Sequence, residues 1–483
     1  MNHSEPTSLW NADLAPTSVA QRTWCWYHYG ALWIGMVMCI PAYMLAASLI
    51  DSGMSALQSV LTVLLANTIV LVPMLLIGHA GTKYGIPYAV LARASFGTRG
   101  ARLPAFMRAI VACGWFGIQT WFGGQLLHTL LMHLFDTNLS TTKLAVLGIT
   151  PSELLCFVLF WLVQCWIMGL ESIRKLETWT APLKIIICFI LLGWVHQQTG
   201  GFSAEINHPS QFVAGAKKAG QFWAVFWPSL TAMVGFWATL ALNIPDFTRF
   251  AKSQRDQVLG QALGLPVPMG LLAMLSVLVT SATVILYGQA IWDPVQLAAR
   301  MSGAVVSIAL IVLLIDTLSV NLAANLVGPA YDFAALYPEK ISYRTGSYIT
   351  AGIGLLMMPW KVLESTQGYI FTWLIGYSAL LGPIAGILIV DYYWVRRTEL
   401  DPEQLYQADG RYAYQGGWNN KALLAFGLGV LPNIPGFLHA AGALPEIAEL
   451  FKNIYTYAWF AGMAISALLY SILTPRQSIL SRR

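Results

Sequence analysis

Residues 114–124 read GWFGIQTWFGG, an amide set among apolar neighbours. Trp115 and Gln119 are four apart and share one face of a helix, while Trp121 points roughly the opposite way. An indole offers a flat apolar wall on which a planar ring can stack. A primary amide offers two donors and an acceptor, which match the edge of a neutral, amide-rich ring. Two uses fit: the pair binds such a solute, or Gln119 bonds a neighbouring helix and Trp115 packs.

A second polar concentration lies in LLIDTLSVNLAANLVGPAYDF, which carries Asp316, Thr317, Ser319, Asn321 and Asn325. Asp316 and Ser319 are close on one helix face. Lys184, in APLKIIICF, is the other charge inside an apolar run. An uncompensated charge at that depth is costly, so a partner is expected, and Asp316 is the best-placed carboxylate. Alternatively, Lys184 snorkels to the membrane edge. His28, beside Trp24, Trp26 and Tyr27, reads as an interfacial hydrogen-bonder in an aromatic belt. Asp246 reads as a partner of Arg249 or a cap of local backbone, and Asp391 as a group at the membrane edge.

The elements that must position these groups are helices in a bilayer. The chain has 483 residues, 57% hydrophobic and only 10% charged, where soluble domains carry about 25% charged residues. A helical span needs about 20 apolar residues. Such stretches lie near 27–50, 56–79, 104–133, 151–170, 178–198, 222–243, 262–288, 301–331, 344–360, 369–395, 421–442 and 453–474, predicting an all-α polytopic protein with about twelve spans. Most Lys and Arg fall on one side of this layout. Only Lys143, Lys217, Lys218, Arg300, Lys361 and Lys452 fall on the other, and Arg108 and Lys184 within spans. The positive-inside rule then places both termini in the cytoplasm of a cell whose inner (plasma) membrane holds the chain. Residues 1–26 and 475–483 form cytoplasmic tails, 396–420 a cytoplasmic loop.

The first 26 residues show no cleavable signal. Cys25, Cys39, Cys113, Cys156, Cys165 and Cys188 form no C-x-x-C pair, which predicts neither disulfides nor a metal site. The net charge of +5 follows from loop asymmetry and implies no nucleic acid. No phosphate loop, dinucleotide fingerprint, carboxylate cluster or histidine cluster supports an enzyme, a bound cofactor or a channel. A secondary transporter fits best, its partners being a small solute and the bilayer. A substrate sensor without transport is the alternative of a different class.

Two spans look interrupted. WIGMVMCIPAYM sets Gly35 and Pro41 in the first, and MVGFWATLALNIPDF sets Gly235 and Pro245 in the sixth. Proline removes a backbone donor and glycine weakens a helix. Broken helices five apart are a mark of inverted-repeat transporters; ordinary kinks are the alternative.

The strings NADLAPT and RTWCWYHYGALWIGM within 11–36, then GWFGIQTWFGG, ALNIPDFTRF, NLAANLVGPAYDF, DYYWVRR and GRYAYQGGWN, resemble nucleobase:cation symporter family 1, in the family's order and over residues 11 to about 420. The resemblance implies import of nucleobases or related compounds. It implies a leucine-transporter-like fold, with a ten-helix core of two inverted five-helix repeats over 27–395 and two further helices over 421–474. By resemblance, Trp115 and Gln119 stack on and pair with the substrate, and Asn325 bonds its other edge. Gly235, Phe236 and Trp237 close the opposite face, with Phe236 or Trp237 as the second stacking ring. Cys39 stands where many members carry an amide.

Sodium-coupled members hold the ion with carbonyls of span 1 and hydroxyls of span 8. The matching positions here are Gly35 and Met38, then Asp316, Ser319 and Val320. Valine cannot coordinate, so the site is depleted. The Asp316–Lys184 pair is expected to stand in for sodium, with protons as the coupling ion; sodium at Gly35, Met38 and Ser319, with Asp316 as an extra ligand, is the alternative. The substrate expected is uracil or a related cyclic ureide, allantoin or hydantoin; cytosine or a purine is the runner-up.

Overall fold

The computed structural model describes residues 8–135, 142–168, 184, 186, 188–207, 209–300, 304–364 and 367–476. Among them the chain is helical, with two isolated bridges, Trp24 to Ala251 and Gln415 to Trp418, in place of any strand. The first span is broken as the sequence predicts: α1 (Trp26–Val37) and α2 (Ile40–Asp51) meet at 62°. Met38 and Cys39 make the break, Cys39 being fully extended. Pro41 sits in the first turn of α2, where its missing N–H has no helical acceptor to lose. Next come α3 (Ala56–Tyr84), α4 (Tyr88–Phe96), α5 (Arg102–Phe135), α6 (Pro151–Ile167) and α7 (residues 188–199). Ser55 and Thr150 start α3 and α6 with capping boxes closed by Gln58 and Glu153.

The sixth span is α8 (Phe222–Phe236) and α9 (Ala238–Asn243), bent by 41° about Trp237. α10 (Gln254–Gly264) runs into α11 (Pro266–Tyr287). α12 (Ala304–Val320) passes through a wide π turn, Asn321–Leu326, into α13 (Val327–Leu336). The chain ends with α14 (Tyr343–Leu356), α15 (Ile375–Ile389), α16 (Asn420–Val430), α17 (Glu449–Thr456) and α18 (Ala458–Leu473).

The helices pack in two sets. α5 is the axis of one, flanked by α6, α12, α13 and α14. The other joins α1, α2, α3, α10 and α11, with α8 against α3. Each set pairs spans five apart in the chain, as an inverted repeat requires. α15 packs on α18 and α16 beside them. Small residues let helices close up within a bilayer: a Cβ on Gly117 would sit 2.5 Å from the carbonyl oxygen of Gly354. Leu57, Leu61, Leu65 and Val72 form an exposed apolar stripe along α3, a face for lipid.

By length and composition, five helices among the described residues can each cross a membrane, or up to eight spans if each bent pair counts as one. The expected twelve are not matched one for one. α6 and α14 are short, and much of 178–198 lies outside the described residues. The region expected as one span over 453–474 instead turns by 91° between α17 and α18.

Residues 8–25 form a strap rather than a loose tail. Thr17 N–H donates to Gly85 O (2.8 Å), and Trp24 N–H to Phe250 O (2.9 Å), tying it to α3 and to the chain after α9. Asn11 Nδ2 donates to Pro338 O (2.9 Å), and Asp13 Oδ2 accepts from Tyr343 N–H (2.9 Å), tying it to α13 and α14. Leu14 is fully buried. His28 Nδ1 accepts from Cys25 N–H and so caps α1. The loop 396–420 is anchored by a buried pair, Arg396 Nε to Asp391 Oδ2 at 2.7 Å.

Candidate functional site

Trp115 and Gln119 are both buried on α5. Trp115 meets Phe236 edge to face, with centroids 5.1 Å apart. Trp373, in the π-helical turn that leads into α15, and Tyr377, in its first turn, complete an aromatic cluster around it at 6.1 and 6.3 Å. Trp237 turns the other way, onto Trp33 of α1 (5.3 Å). Of the two candidate stacking rings, Phe236 is therefore the one at Trp115. Trp121 packs on Phe157 and Trp360, away from this cluster.

Gln119 Oε1 is buried and accepts no hydrogen bond among the described residues. A buried acceptor left unmade costs about 1–3 kcal/mol. The helix-bonding role that the sequence allowed for Gln119 is filled by another amide, Gln164 of α6. Gln164 Nε2 donates to Thr120 Oγ1 (3.0 Å), and its Oε1 accepts from Asn321 Nδ2 (2.6 Å). Asn321 also reaches Phe116 O (3.0 Å), and Asn325 Nδ2 donates to Asn321 Oδ1 (3.0 Å). This chain of amides stitches the π turn to α5 and α6 and fixes where Asn325 stands. Gln164, Trp373 and Tyr377 escaped the sequence reading. Gln164 carried a usable signal, since an amide inside FWLVQCWIM is as anomalous as Gln119.

Gly235 sits against another helix. A Cβ there would lie 2.0 Å from Ser378 Oγ and 3.0 Å from Leu374 O, so α8 and α15 touch through it. Asp246 forms no ion pair with Arg249 among the described residues; it caps backbone, accepting from Tyr88 N–H (2.8 Å) at the start of α4 and from Asn243 Nδ2 (3.1 Å).

Lys184 does not snorkel. Its Nζ lies 2.9 Å from Asp316 Oδ1, with both side chains buried. The same ammonium donates to the carbonyl oxygen of Gly35, at the end of α1. Ser319 is buried one turn beyond Asp316, followed by Val320. Met38 and Cys39 line a cavity of about 720 Å³ that reaches Lys184 and Asp316. Trp115, Gln119 and Phe236 lie outside its lining. No cluster of three His, Cys, Asp or Glu side chains able to hold a metal occurs among the described residues.

Residues 16–462 match the model of a family described as permease for cytosine/purines, uracil, thiamine, allantoin. A purine-uracil permease of Arabidopsis thaliana is 45% identical, over 97% of this chain and 78% of its own length. An allantoin permease of Bacillus subtilis is 38% identical, over 98% of this chain and 94% of its own. Among solved structures, Mhp1, a nucleobase-cation-symport-1 family transporter in a closed conformation with bromovinylhydantoin bound, superposes with a TM-score of 0.76. That match has 24% identity and covers 98% of each chain.

Proposed function

The chain belongs to the permease family for cytosine, purines, uracil, thiamine and allantoin, a family of membrane transporters, and from that premise we propose that it imports uracil or a closely related cyclic ureide, allantoin or hydantoin, by proton symport. The observation that carries the substrate class is the buried Gln119 acceptor with no partner among the described residues, one turn from the Trp115 ring. Trp115 supplies a stacking wall, Phe236 a ring set edge-on beside it, Gln119 an amide edge and Asn325 a second polar edge. The ring neighbours of Trp115 among the described residues are Phe236, Trp373 and Tyr377, an apolar setting that suits a neutral ligand. Relatives named for uracil and for allantoin point the same way. The name of the Arabidopsis relative makes a purine the second reading.

The coupling ion follows from Lys184. Its ammonium takes the Gly35 carbonyl, one of the oxygens a sodium ion would use, and it is already neutralised by Asp316. Sodium at Gly35, Met38 and Ser319 would have to displace it, and Val320 offers no oxygen in return. Protonating Asp316 would instead remove the carboxylate charge beside the buried Lys184 ammonium, a costly change that favours separation of the Lys184 segment from α12. Proton binding is thereby linked to movement. In the reading proposed here, the Lys/Arg-rich face is cytoplasmic, in the plasma membrane of its cell.

The test is uptake of labelled uracil by cells lacking their own pyrimidine permeases, with unlabelled hydantoin, allantoin, cytosine and purines as competitors. Uptake blocked chiefly by the ureides, abolished by a protonophore and indifferent to sodium is expected. The Asp316→Asn variant should lose the dependence on the proton gradient. Wild-type dependence in that variant, or a strict sodium requirement, would overturn the coupling.

A further inference from the structure

The cavity beside the Lys184–Asp316 pair has a place in no step above. At its base are Lys184, Asp316 and Cys39. At its other end are Gln197 and Gln198 in the last turn of α7, Tyr287 ending α11, and Arg300. Those groups belong to the face opposite the Lys/Arg-rich loops. From Cys188 to Gln197 of α7 the helix rise spans about 14 Å, so the cavity runs from one membrane surface toward the pair, whose Lys184 and Asp316 line its base. Its walls between are largely apolar. None of Trp115, Gln119 or Phe236 takes part in it.

We infer that this cavity is a water-filled route by which protons reach Asp316 from the face opposite the Lys/Arg-rich loops, separate from the approach of substrate to Trp115 and Gln119. The inference rests on the proton-coupling reading. Two features carry it. Asp316 is the sole carboxylate among the described lining residues, so an arriving proton has one carboxylate to meet. The volume of about 720 Å³ is far more than a single water needs, and both ends are polar enough to hold a water chain. The other titratable groups facing the pair are Cys39 at the α1–α2 break, Cys188 on α7 and Tyr43 on α2. Asp293, buried at the cap of the short helix Pro294–Ala298, acts on Tyr43 through its charge. The step balances simply: a proton from water adds to a carboxylate oxygen of Asp316, and Lys184 stays an ammonium.

Cys188 lines the route and provides a native probe. In cells expressing the full chain, a membrane-impermeant methanethiosulfonate applied from outside should modify wild type faster than Cys188→Ser, whose remaining cavity thiol is the deeper Cys39. Modification should depress proton-driven uptake, and saturating substrate should give no protection. A cysteine placed at Val213, exposed on the same face, serves as the positive control. The inference is overturned if that control reacts while Cys188 does not, or if substrate protects Cys188, which would make the cavity the substrate's own path. A second variant needs no thiol. Gly193 lines the cavity, and a Cβ there meets nothing within 4 Å, so Gly193→Phe can plug the route without disturbing the backbone. Proton-driven uptake should fall about tenfold, roughly 1.4 kcal/mol on the transport barrier, with substrate affinity unchanged; undiminished uptake would sink the inference. The two readings fail separately. If Asp316→Asn keeps the proton dependence, the coupling is wrong; if it loses the dependence yet Cys188 is unreachable, only the route is wrong.

Discussion

Gln119 and Gln164 are both buried intramembrane amides, and their hydrogen bonds separate their roles. Gln164 is bonded through both ends of its amide, to Thr120 and Asn321. Replacing it with leucine strands those partners and should cost about 1–2 kcal/mol, read as a lower melting temperature of the substrate-free protein in detergent. Gln119→Leu should do the reverse. Its acceptor has no partner among the described residues, so the substrate-free protein should be at least as stable as wild type while substrate affinity is lost. A large drop in stability for Gln119→Leu would show the amide to be structural. Trp115→Ala should weaken substrate binding by about 1–3 kcal/mol, the worth of one aromatic stacking contact, with Trp115→Phe keeping most of it. Equilibrium binding of labelled substrate measures both.

Local chemistry made the helix breaks legible in the sequence, and nothing local marks the rest. Glycine and proline flagged the first and sixth spans, although the breaks themselves fall at Met38–Cys39 and at Trp237. The π turn at Asn321–Leu326 has no such flag, because partners on α5 and α6 hold it. Likewise the right-angle turn between α17 and α18 contains neither glycine nor proline. The opposite signs of Lys184 and Asp316 were enough to suggest their pairing, whereas the aromatic cluster depended on α15, remote in sequence. Gly235 also carries an element-level contact. Its packing on Ser378 sets how closely α8 approaches α15. Gly235→Ala should therefore overpack that contact, costing about 1–3 kcal/mol, and slow transport. Ser378→Ala in the same chain should recover much of the loss. Failure of that rescue, with the double variant no faster than Gly235→Ala, would place the effect of Gly235 elsewhere.

Across the whole molecule, access depends on which face the two helix sets close, and the strap of residues 8–25 bears on that. It is bonded to α3 and the chain after α9 on one side, and to α13 and α14 on the other. Tyr406 of the 396–420 loop adds a bond to Leu14 O at 2.7 Å. The sets cannot part at the Lys/Arg-rich face without breaking one group of these bonds. Beneath the strap, Arg108 and Asp332 form a fully buried pair joining α5 to α13, both within one set, so that pair survives the parting and leaves the strap as the adjustable tie. Replacing Asn11 and Asp13 together by alanine removes three of its bonds to the α13–α14 side. At about 1 kcal/mol each, that would shift the balance toward opening at this face by about two powers of ten. Spin labels at the exposed positions Lys252 and Lys340 straddle the two sets. The distance distribution between them should gain a longer population in the double variant, and proton-driven uptake should change with it, because a face that closes poorly leaks the bound state. An unchanged distribution would mean that the strap is carried by the helices and does not hold them.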